Sequence, residues 1–148
     1  KSRSENAKNS ISNLIKLGAI PIINENDSIS TEEILNGDND RLSGKVATLL
    51  NSKKLFILTD QHGLYDKNPE QNSDAKLISK INLNNFDLKK ISFGNSGILG
   101  RGGMTTKIKA ARDYLNNTNE AWILNGNEKG IIEKAIQKKP LGTKIYLA

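Results

Sequence analysis

The chain has 148 residues, of which 36% are hydrophobic and 26% charged, and its formal net charge is +6. This length and composition indicate one soluble globular domain with a hydrophobic core, and no apolar run is long enough to span a membrane. The positive charges are scattered and aromatic residues make up only 5%, so we expect no nucleic-acid partner. The absence of cysteine excludes disulfides and fits a cytoplasmic location.

The residue pattern of the N-terminal third predicts a helix, a strand and a second helix. The chain opens at Lys1 without a methionine, which indicates either a processed N-terminus or a chain that starts inside a longer protein. Apolar residues at helical spacing follow Ser4, and Gly18 is expected to end that helix. The apolar run 19–23 predicts a strand. A second helix is expected to begin from a cap at Asn39 or Asp40.

The rest of the chain alternates between predicted strands and helices. We expect short surface elements over 76–92 and a loop over 94–103, which holds five glycines. The other predicted elements are a strand over 55–58, a helix from Thr105, a strand over 121–124, a helix over 128–137 and a strand over 144–147. Short apolar strands separated by helices predict an α/β fold with a mainly parallel sheet covered on both faces.

Polar residues follow three of the predicted strands. These residues lie at 24–27, at Thr59-Asp60 and at 125–127. Asn, Asp and Gly are ordinary turn residues, but ligands in parallel sheets bind beyond the carboxyl ends of strands. Three such loops predict a cleft at one edge of the sheet.

Carboxylates are concentrated near the first of these strand ends. Asp38 and Asp40 open the second predicted helix, and Asp27 follows the first strand. Such a cluster repels free phosphate, and its spacing does not match a calcium loop. A mixture of Asn and Asp suits an amino acid, whose ammonium group meets the acids and whose carboxylates meet the amides. We predict no protein-held metal site here.

A glycine-rich segment at 100–107 predicts an anion site. Glycine lets backbone amides approach a phosphate, and the N-terminus of the following helix favours negative charge. Lys107 is expected in the first turn of that helix, where a cation opposes the helix dipole and a functional role is favoured. The alternative is a flexible surface loop with a solvated lysine.

Together these motifs resemble the amino acid kinase family, and among its members those that phosphorylate glutamate. The motifs, in order, are Pro21-Ile-Ile-Asn-Glu-Asn-Asp27, Gly37-Asp-Asn-Asp40, Leu58-Thr-Asp-Gln61 with Gly63-Leu-Tyr65, and Gly102-Gly-Met-Thr-Thr-Lys107. The resemblance implies a three-layer α/β/α sandwich with a mainly parallel central sheet. Residues 1–148 would be the C-terminal, nucleotide-binding portion of a single kinase domain, incomplete at its N-terminal side and without a PUA domain.

The resemblance also implies roles for individual residues. The positions that match glutamate-binding residues are Asn24, Asp27 and Asn39. The catalytic positions are Lys107, which would stabilise the transferring phosphoryl group, and Asp38 and Asp40, which would shape the glutamate site and orient catalytic lysines. The positions that match the ATP site are Thr59, Asp60, Arg101, Gly102, Gly103, Met104, Thr105, Thr106 and Lys107.

The implied reaction is ATP-dependent phosphorylation of the side-chain carboxylate of L-glutamate, which gives glutamyl 5-phosphate in the first step of proline biosynthesis. The implied cofactor is Mg²⁺ bound with ATP, and the implied partners are a second copy of the chain in a homo-oligomer and proline as a feedback inhibitor, with no membrane. The family's first lysine and its first phosphate loop have no match here. We therefore expect residues 1–148 not to catalyse alone.

Two other functions stay open at this point. One is a different kinase of the same family, acting on aspartate, acetylglutamate or uridylate, although the acidic cluster favours a substrate with a free amine. The other is a non-catalytic nucleotide-binding module. An acceptor panel with an assay of ATP consumption separates these alternatives.

Overall fold

The computed structural model describes residues 3–24, 38–86, 98–137, 139 and 141–148, with the backbone alone for Asp38 and residues 98–102. The elements of this part are, in chain order, α1 (Arg3–Lys16), α2 (Asp38–Leu49), β1 (Lys54–Thr59), β2 (Lys80–Asn82), α3 (Ile98–Tyr114), β3 (Glu120–Asn125), α4 (Ile131–Ile136) and β4 (Thr143–Tyr146). Among the helices in these ranges, none combines the length and the apolar character that a membrane span needs.

The four strands form one mixed sheet in the order β1-β3-β4-β2. β1 and β3 are parallel, with Thr59 opposite Asn125 at their carboxyl ends. β2 and β4 are also parallel, whereas β3 and β4 are antiparallel. Two of these three pairings are parallel, which confirms the prediction of a mainly parallel sheet.

Alternate residues of each strand point to opposite faces of the sheet, and helices cover both faces. On one face, Ile57 and Ile123 belong to a core shared with α2 and α3. On the other face, Trp122 and Leu124 pack against Ile131 of α4. The expected three layers are therefore present, and they place α2 and α3 together on one side.

The predicted strand over 19–23 is absent from the described structure. α1 ends as expected at Gly18, which adopts the left-handed conformation with φ 79°, while the amide of Ala19 donates to the carbonyl of Leu14 at 3.0 Å. Residues 19–24 then continue without regular structure, and Ile20 and Ile22 are 90% and 96% exposed. A strand requires a hydrogen-bonded neighbour, and no described strand pairs with this run.

The prediction of surface elements over 76–92 was wrong where β2 lies. Ile81 and Leu83 are buried and alternate with polar residues, and Ile81 pairs with Ile145 of β4. Two apolar residues two positions apart are enough for a short strand when a partner strand covers them. Residues 87–92 lie outside the described ranges.

The glycine-rich segment is helical from Ile98, so the predicted loop over 94–103 was wrong in its second half; residues 94–97 lie outside the described ranges. α3 begins before Thr105, and Lys107 is its tenth residue, not part of its first turn. Each glycine disfavours the helix by about 1 kcal/mol, but the burial of Ile108, Ala110, Ala111 and Tyr114 favours α3. α2 begins at Asp38, just ahead of its expected caps, and α4 begins at Ile131 instead of residue 128.

Candidate functional site

α2 and α3 meet at a glycine. A side chain at Gly44 of α2 would place its Cβ only 2.8 Å from the carbonyl oxygen of Ala110 in α3. A real Cβ cannot approach a backbone oxygen so closely, so glycine permits a short distance between the two helices. Ala110 and its neighbour Ala111 are fully buried at this contact. Small residues on both helices therefore fix how α2 and α3 face each other.

This crossing places Asp40 opposite Thr106 and Lys107. Asp40 lies four residues before Gly44, and Thr106 lies four residues before Ala110, so each pair shares one helix face. The Nζ of Lys107 donates to both carboxylate oxygens of Asp40, at 3.2 and 3.1 Å. The Thr106 hydroxyl lies 3.0 Å from Oδ2 of Asp40 and 2.8 Å from the carbonyl oxygen of Gly103.

The Asp40–Lys107 pair is partly shielded from water. The side chains of Lys107 and Asp40 are 17% and 16% exposed, so their mutual attraction is screened less than that of a surface pair. An ammonium group has three donor hydrogens, and the carboxylate of Asp40 leaves part of this capacity for a further anion. Lys107 lies beyond the first turn of α3, so an unfavourable interaction with the helix dipole does not indicate its role. Its contact with Asp40 is the observation that favours a functional role.

The carboxyl ends of β1 and β3 lie side by side, as the sequence predicted. Thr59 pairs with Asn125, and the amide of Gly126 donates to the Thr59 carbonyl at 2.8 Å. The Thr59 hydroxyl donates to Oδ1 of Asp60 at 3.1 Å, and the Asp60 side chain is exposed. Two of the three predicted polar loops therefore form one polar edge of the sheet.

A buried threonine of β4 forms hydrogen bonds with the segment of the chain that follows this polar edge. Thr143 is fully buried, its hydroxyl accepts from the amide of Leu64 at 2.7 Å, and it donates to the carbonyl of Ile78 at 2.7 Å. The amide of Ile78 also donates to the Leu64 carbonyl. These bonds hold the loop that starts at Asp60. Sequence reasoning missed Thr143, because a polar residue at the start of a strand is ordinary.

Asn24 and Asn39, two positions that the resemblance assigns to glutamate binding, both line one cavity. The cavity measures about 420 Å³ and lies between residues 21–24, α2 and the start of β1. Its lining residues are Pro21, Ile23, Asn24, Asn39, Leu42, Ser43, Val46, Ala47, Ser52, Lys54, Leu55 and Phe56. Asp27, the third predicted glutamate-binding residue, lies outside the described residues.

The other candidate residues are distributed along α3 and at the start of α2. Arg101 and Gly102 belong to α3, and Asp38 is the first residue of α2. Apart from the adjoining backbone of α3, no atom of the described residues lies within 4 Å of the position that a Cβ on Gly103 would take. Met104 packs against the core, which makes it a support of α3 in addition to a candidate ATP contact. Thr105 is half-buried.

The profile of the amino acid kinase family matches residues 1–125. The chain belongs to the amino acid kinase family. It is 43% identical over 138 residues to glutamate 5-kinase of Marinomonas sp. (strain MWYL1), covering 93% of this chain and 37% of that protein. It is 41% identical over 146 residues to glutamate 5-kinase of Nitrosococcus oceani, covering 99% of this chain and 39% of that protein. The chain thus spans less than two fifths of the length of these relatives.

Solved structures support the fold of this amino acid kinase family member. UMP kinase from Bacillus anthracis superposes with a TM-score of 0.65 at 20% identity, covering 99% of this chain and 52% of that one. Isopentenyl phosphate kinase from T. acidophilum superposes with a TM-score of 0.57 at 23% identity, covering 93% of this chain and 52% of that one. The expected amino acid kinase-like fold is therefore confirmed.

An ion cluster of this amino acid kinase chain lies at the opposite end of β3 from the polar edge. Glu120 begins β3 and pairs with Lys144 and, at 3.6 Å, with Lys54. Burial alone would raise the pKa of Glu120, but the hydrogen bond and charge of Lys144, with the charge of Lys54, outweigh burial and lower it. The cluster joins three strands, β1, β3 and β4, and was not predicted. Its position assigns it to the stability of the sheet.

Proposed function

We propose that the chain supplies the nucleotide site and part of the amino-acid site of a kinase that transfers phosphate from ATP to the side-chain carboxylate of L-glutamate. The observation that carries this proposal is the contact of Lys107 with Asp40 between α2 and α3. The identity of 43% to a glutamate 5-kinase supports the choice of substrate. Because the chain covers 37% of that relative, the reaction belongs to a longer polypeptide.

The proposed reaction needs no general base. A glutamate side chain has a pKa of about 4.3 and is ionised at neutral pH. One carboxylate oxygen attacks the γ-phosphorus and forms a new O–P bond, while the bond from the γ-phosphorus to the bridging oxygen breaks and ADP leaves with the electron pair. The products are an acyl phosphate and ADP. The barrier is mainly electrostatic, because an anion approaches a polyanion.

In this proposal Lys107 offsets that charge. Asp40 holds the ammonium group in place through both carboxylate oxygens, and Thr106 donates to the same carboxylate. A preorganised cation contributes more at the transition state than a mobile one, because it does not have to reorient as charge moves. Asp40 and Thr106 would act as positioning residues and Lys107 as the catalytic residue.

The nucleotide would lie along the polar edge of the sheet and the start of α3. The contacts proposed for ATP come from Thr59, Asp60 and the stretch 101–107. Thr143 would support this site indirectly, because it fastens the loop that continues from Asp60.

Glutamate would lie at the end of the cavity where Asn24 and Asn39 are found. Their side-chain amides can both donate to and accept from an amino acid. Asp27 and Asp38 would supply the negative charge that its ammonium group requires.

Mg²⁺ would enter with ATP and neutralise charge on its phosphates. Mg²⁺ usually takes one or two carboxylates from the protein and its other ligands from phosphates and water. The exposed carboxylate of Asp60 fits this role. Within the described ranges no group of three or more His, Asp or Glu residues could hold a metal ion unaided.

A cytoplasmic location, a homo-oligomer and inhibition by proline remain predictions.

A chimera tests the proposal. Residues 1–148 replace the matching segment of the Marinomonas glutamate 5-kinase, and ADP release is measured with ATP, Mg²⁺ and each of glutamate, aspartate, acetylglutamate and UMP. The unaltered Marinomonas enzyme is the control. We expect turnover with glutamate at least about tenfold above every other acceptor. Preference for another acceptor, or ATP binding by a folded chimera without turnover, would contradict the proposal.

A further inference from the structure

The loop that follows β1 meets the start of β4 at a glycine. Gly63 is buried and has a φ of 152°, a conformation that favours glycine. A Cβ at this position would lie 2.7 Å from Oγ1 of Thr143 and 3.0 Å from the Thr143 amide nitrogen. A larger residue would therefore push the loop away from β4. Glycine permits the chain, only three residues after Asp60, to lie directly against Thr143.

Thr143 closes the base of this loop, which runs over residues 60–79. Its hydroxyl accepts from the Leu64 amide and donates to the Ile78 carbonyl, both at 2.7 Å. The Ile78 amide donates to the Leu64 carbonyl at 2.7 Å, and the amide of the residue after Thr143 donates to the Ser79 carbonyl at 2.9 Å. Both arms of the loop are therefore attached to the first two residues of β4.

The start of β4 is itself fixed to the strands that form the polar edge. Thr143 pairs with Ile123 of β3, and a Cβ on Gly142 would overlap the Ile123 carbonyl oxygen, so the chain before β4 lies too close to β3 for a larger residue. β3 in turn pairs with β1 as far as Thr59. Asp60 therefore lies between two anchored points, the end of β1 and the glycine contact with β4.

We propose that Gly63 and Thr143 are positioning residues for the nucleotide, an inference that rests on the kinase function proposed above. They hold residues 60–64 in the conformation that presents Asp60 to ATP, although Thr143 lies 79 residues after Leu64 in the chain. A loop that is already held in its binding conformation does not have to be ordered when the ligand binds, so no affinity is lost to that step. Loss of the contact should therefore weaken ATP binding. Glutamate binding, which is assigned to the cavity beside α2, should stay nearly unchanged.

Three substitutions in the chimera test this inference. Thr143→Val removes the hydroxyl, Gly63→Ala places a methyl group against Thr143, and Thr143→Ser retains the hydroxyl. The measured quantities are the KM for ATP, the KM for glutamate, and the Kd for the β,γ-imido analogue of ATP with Mg²⁺. We expect Thr143→Val and Gly63→Ala to raise the KM for ATP and the Kd for the analogue at least about tenfold, and the KM for glutamate less than about threefold. Thr143→Ser should keep all three quantities within about threefold of the unmodified chimera.

Ile131→Ala is the control for a loss of stability alone. It truncates a buried side chain of α4 that packs against Trp122 and Leu124 on the other face of the sheet. This variant should destabilise the fold but keep the KM for ATP and the Kd for the analogue within about threefold of the unmodified values.

Three outcomes would overturn the inference. One is a folded Thr143→Val or Gly63→Ala chimera with unchanged nucleotide constants, another is a Thr143→Ser chimera as impaired as Thr143→Val, and the third is an Ile131→Ala chimera with an equal rise. If Thr143→Val does not fold, Gly63→Ala and Thr143→Ser decide the matter. An unmodified chimera that binds the analogue without phosphorylating glutamate would contradict the kinase proposal alone, since the Kd still measures the effect of the loop contact.

Discussion

Replacing Gly44 by alanine should destabilise the chain, although alanine normally favours a helix. In an exposed helix interior the change from glycine to alanine stabilises by about 1 kcal/mol. At Gly44 the new Cβ would lie 2.8 Å from the Ala110 carbonyl oxygen and 3.5 Å from its carbon. Because these are backbone atoms of α3, neither can move aside without shifting α2 or α3.

The magnitude follows from the two opposing effects. Overpacking a tight contact costs about 1–3 kcal/mol, and the helix preference offsets about 1 kcal/mol of this cost. We therefore expect Gly44→Ala to lower the free energy of unfolding by about 1 kcal/mol. The matched control is Gly103→Ala in α3, where, apart from the adjoining helix backbone, no atom in the described part of the chain lies within 4 Å of the new Cβ. This variant should raise the free energy of unfolding by up to about 1 kcal/mol.

Urea unfolding of both variants beside the unmodified chain measures this difference. The midpoints should move in opposite directions with unchanged slopes, since neither substitution alters the surface exposed on unfolding. If Gly44→Ala stabilised the chain as much as Gly103→Ala, the close approach of α2 and α3 would be refuted. The placement of Asp40 against Lys107 would then lose its structural basis.

Three further predictions address other parts of the structure. Thr143→Val keeps the shape of the side chain but leaves the Leu64 amide and the Ile78 carbonyl without a partner. We expect it to lower the free energy of unfolding, measured in urea, by about 2–4 kcal/mol. Thr143→Ser retains the hydroxyl and should lower this free energy by less than half as much. Glu120 has a pKa below its usual 4.5 in the folded chain, so its stabilising effect is present above pH 4.5 and disappears as the pH falls through the folded pKa. Glu120→Gln should therefore lower stability at pH 7 by up to about 1 kcal/mol, and this loss should shrink as the pH falls below 4.5. A loss that stays constant on acidification would contradict this assignment. In the chimera, Asn39→Ala and Asp27→Ala should raise the KM for glutamate about tenfold or more, as expected for the loss of hydrogen bonds to a charged group, and a larger rise in the KM for ATP would exclude them from the glutamate site.

The sequence predicted the parts of the fold that local pattern determines. β1 and β3 are short apolar runs with polar residues directly after them, and both the strands and their shared polar edge were predicted correctly. Gly18 also ended α1 as expected, because a left-handed residue after a helix is a local feature.

The parts that failed depend on distant partners. Residues 19–23 read as a strand, but a strand exists only with a neighbour, and the described residues supply none. Ile81 and Leu83 were predicted to lie at the surface, whereas their burial depends on the pairing of β2 with β4. α3 starts at Ile98 because packing against α2 and the sheet outweighs the preferences of its glycines.

In the candidate site too, local pattern identified the residues, whereas their contact depends on distant parts of the chain. The acids near 38–40 and the lysine at 107 were identified from motif order, but their contact could not be derived from it. The contact depends on Gly44 and Ala110, each one helical turn from the paired side chains. Small residues three or four positions from a charged residue on two helices are a signal that could have suggested it. A single sequence cannot show that the two helices are neighbours.

The most direct test of the proposed mechanism is the turnover of the chimera with Lys107→Ala. Lys109→Ala is the matched control, since it removes a lysine from the same helix at an exposed position. The mechanism predicts that Lys107→Ala lowers kcat for glutamate by about 10²–10³, the effect of losing one charge contact to the transition state, while Lys109→Ala stays within about twofold of the unmodified chimera. A folded Lys107→Ala chimera that kept kcat within a few-fold of the unmodified value would contradict the catalytic role of Lys107.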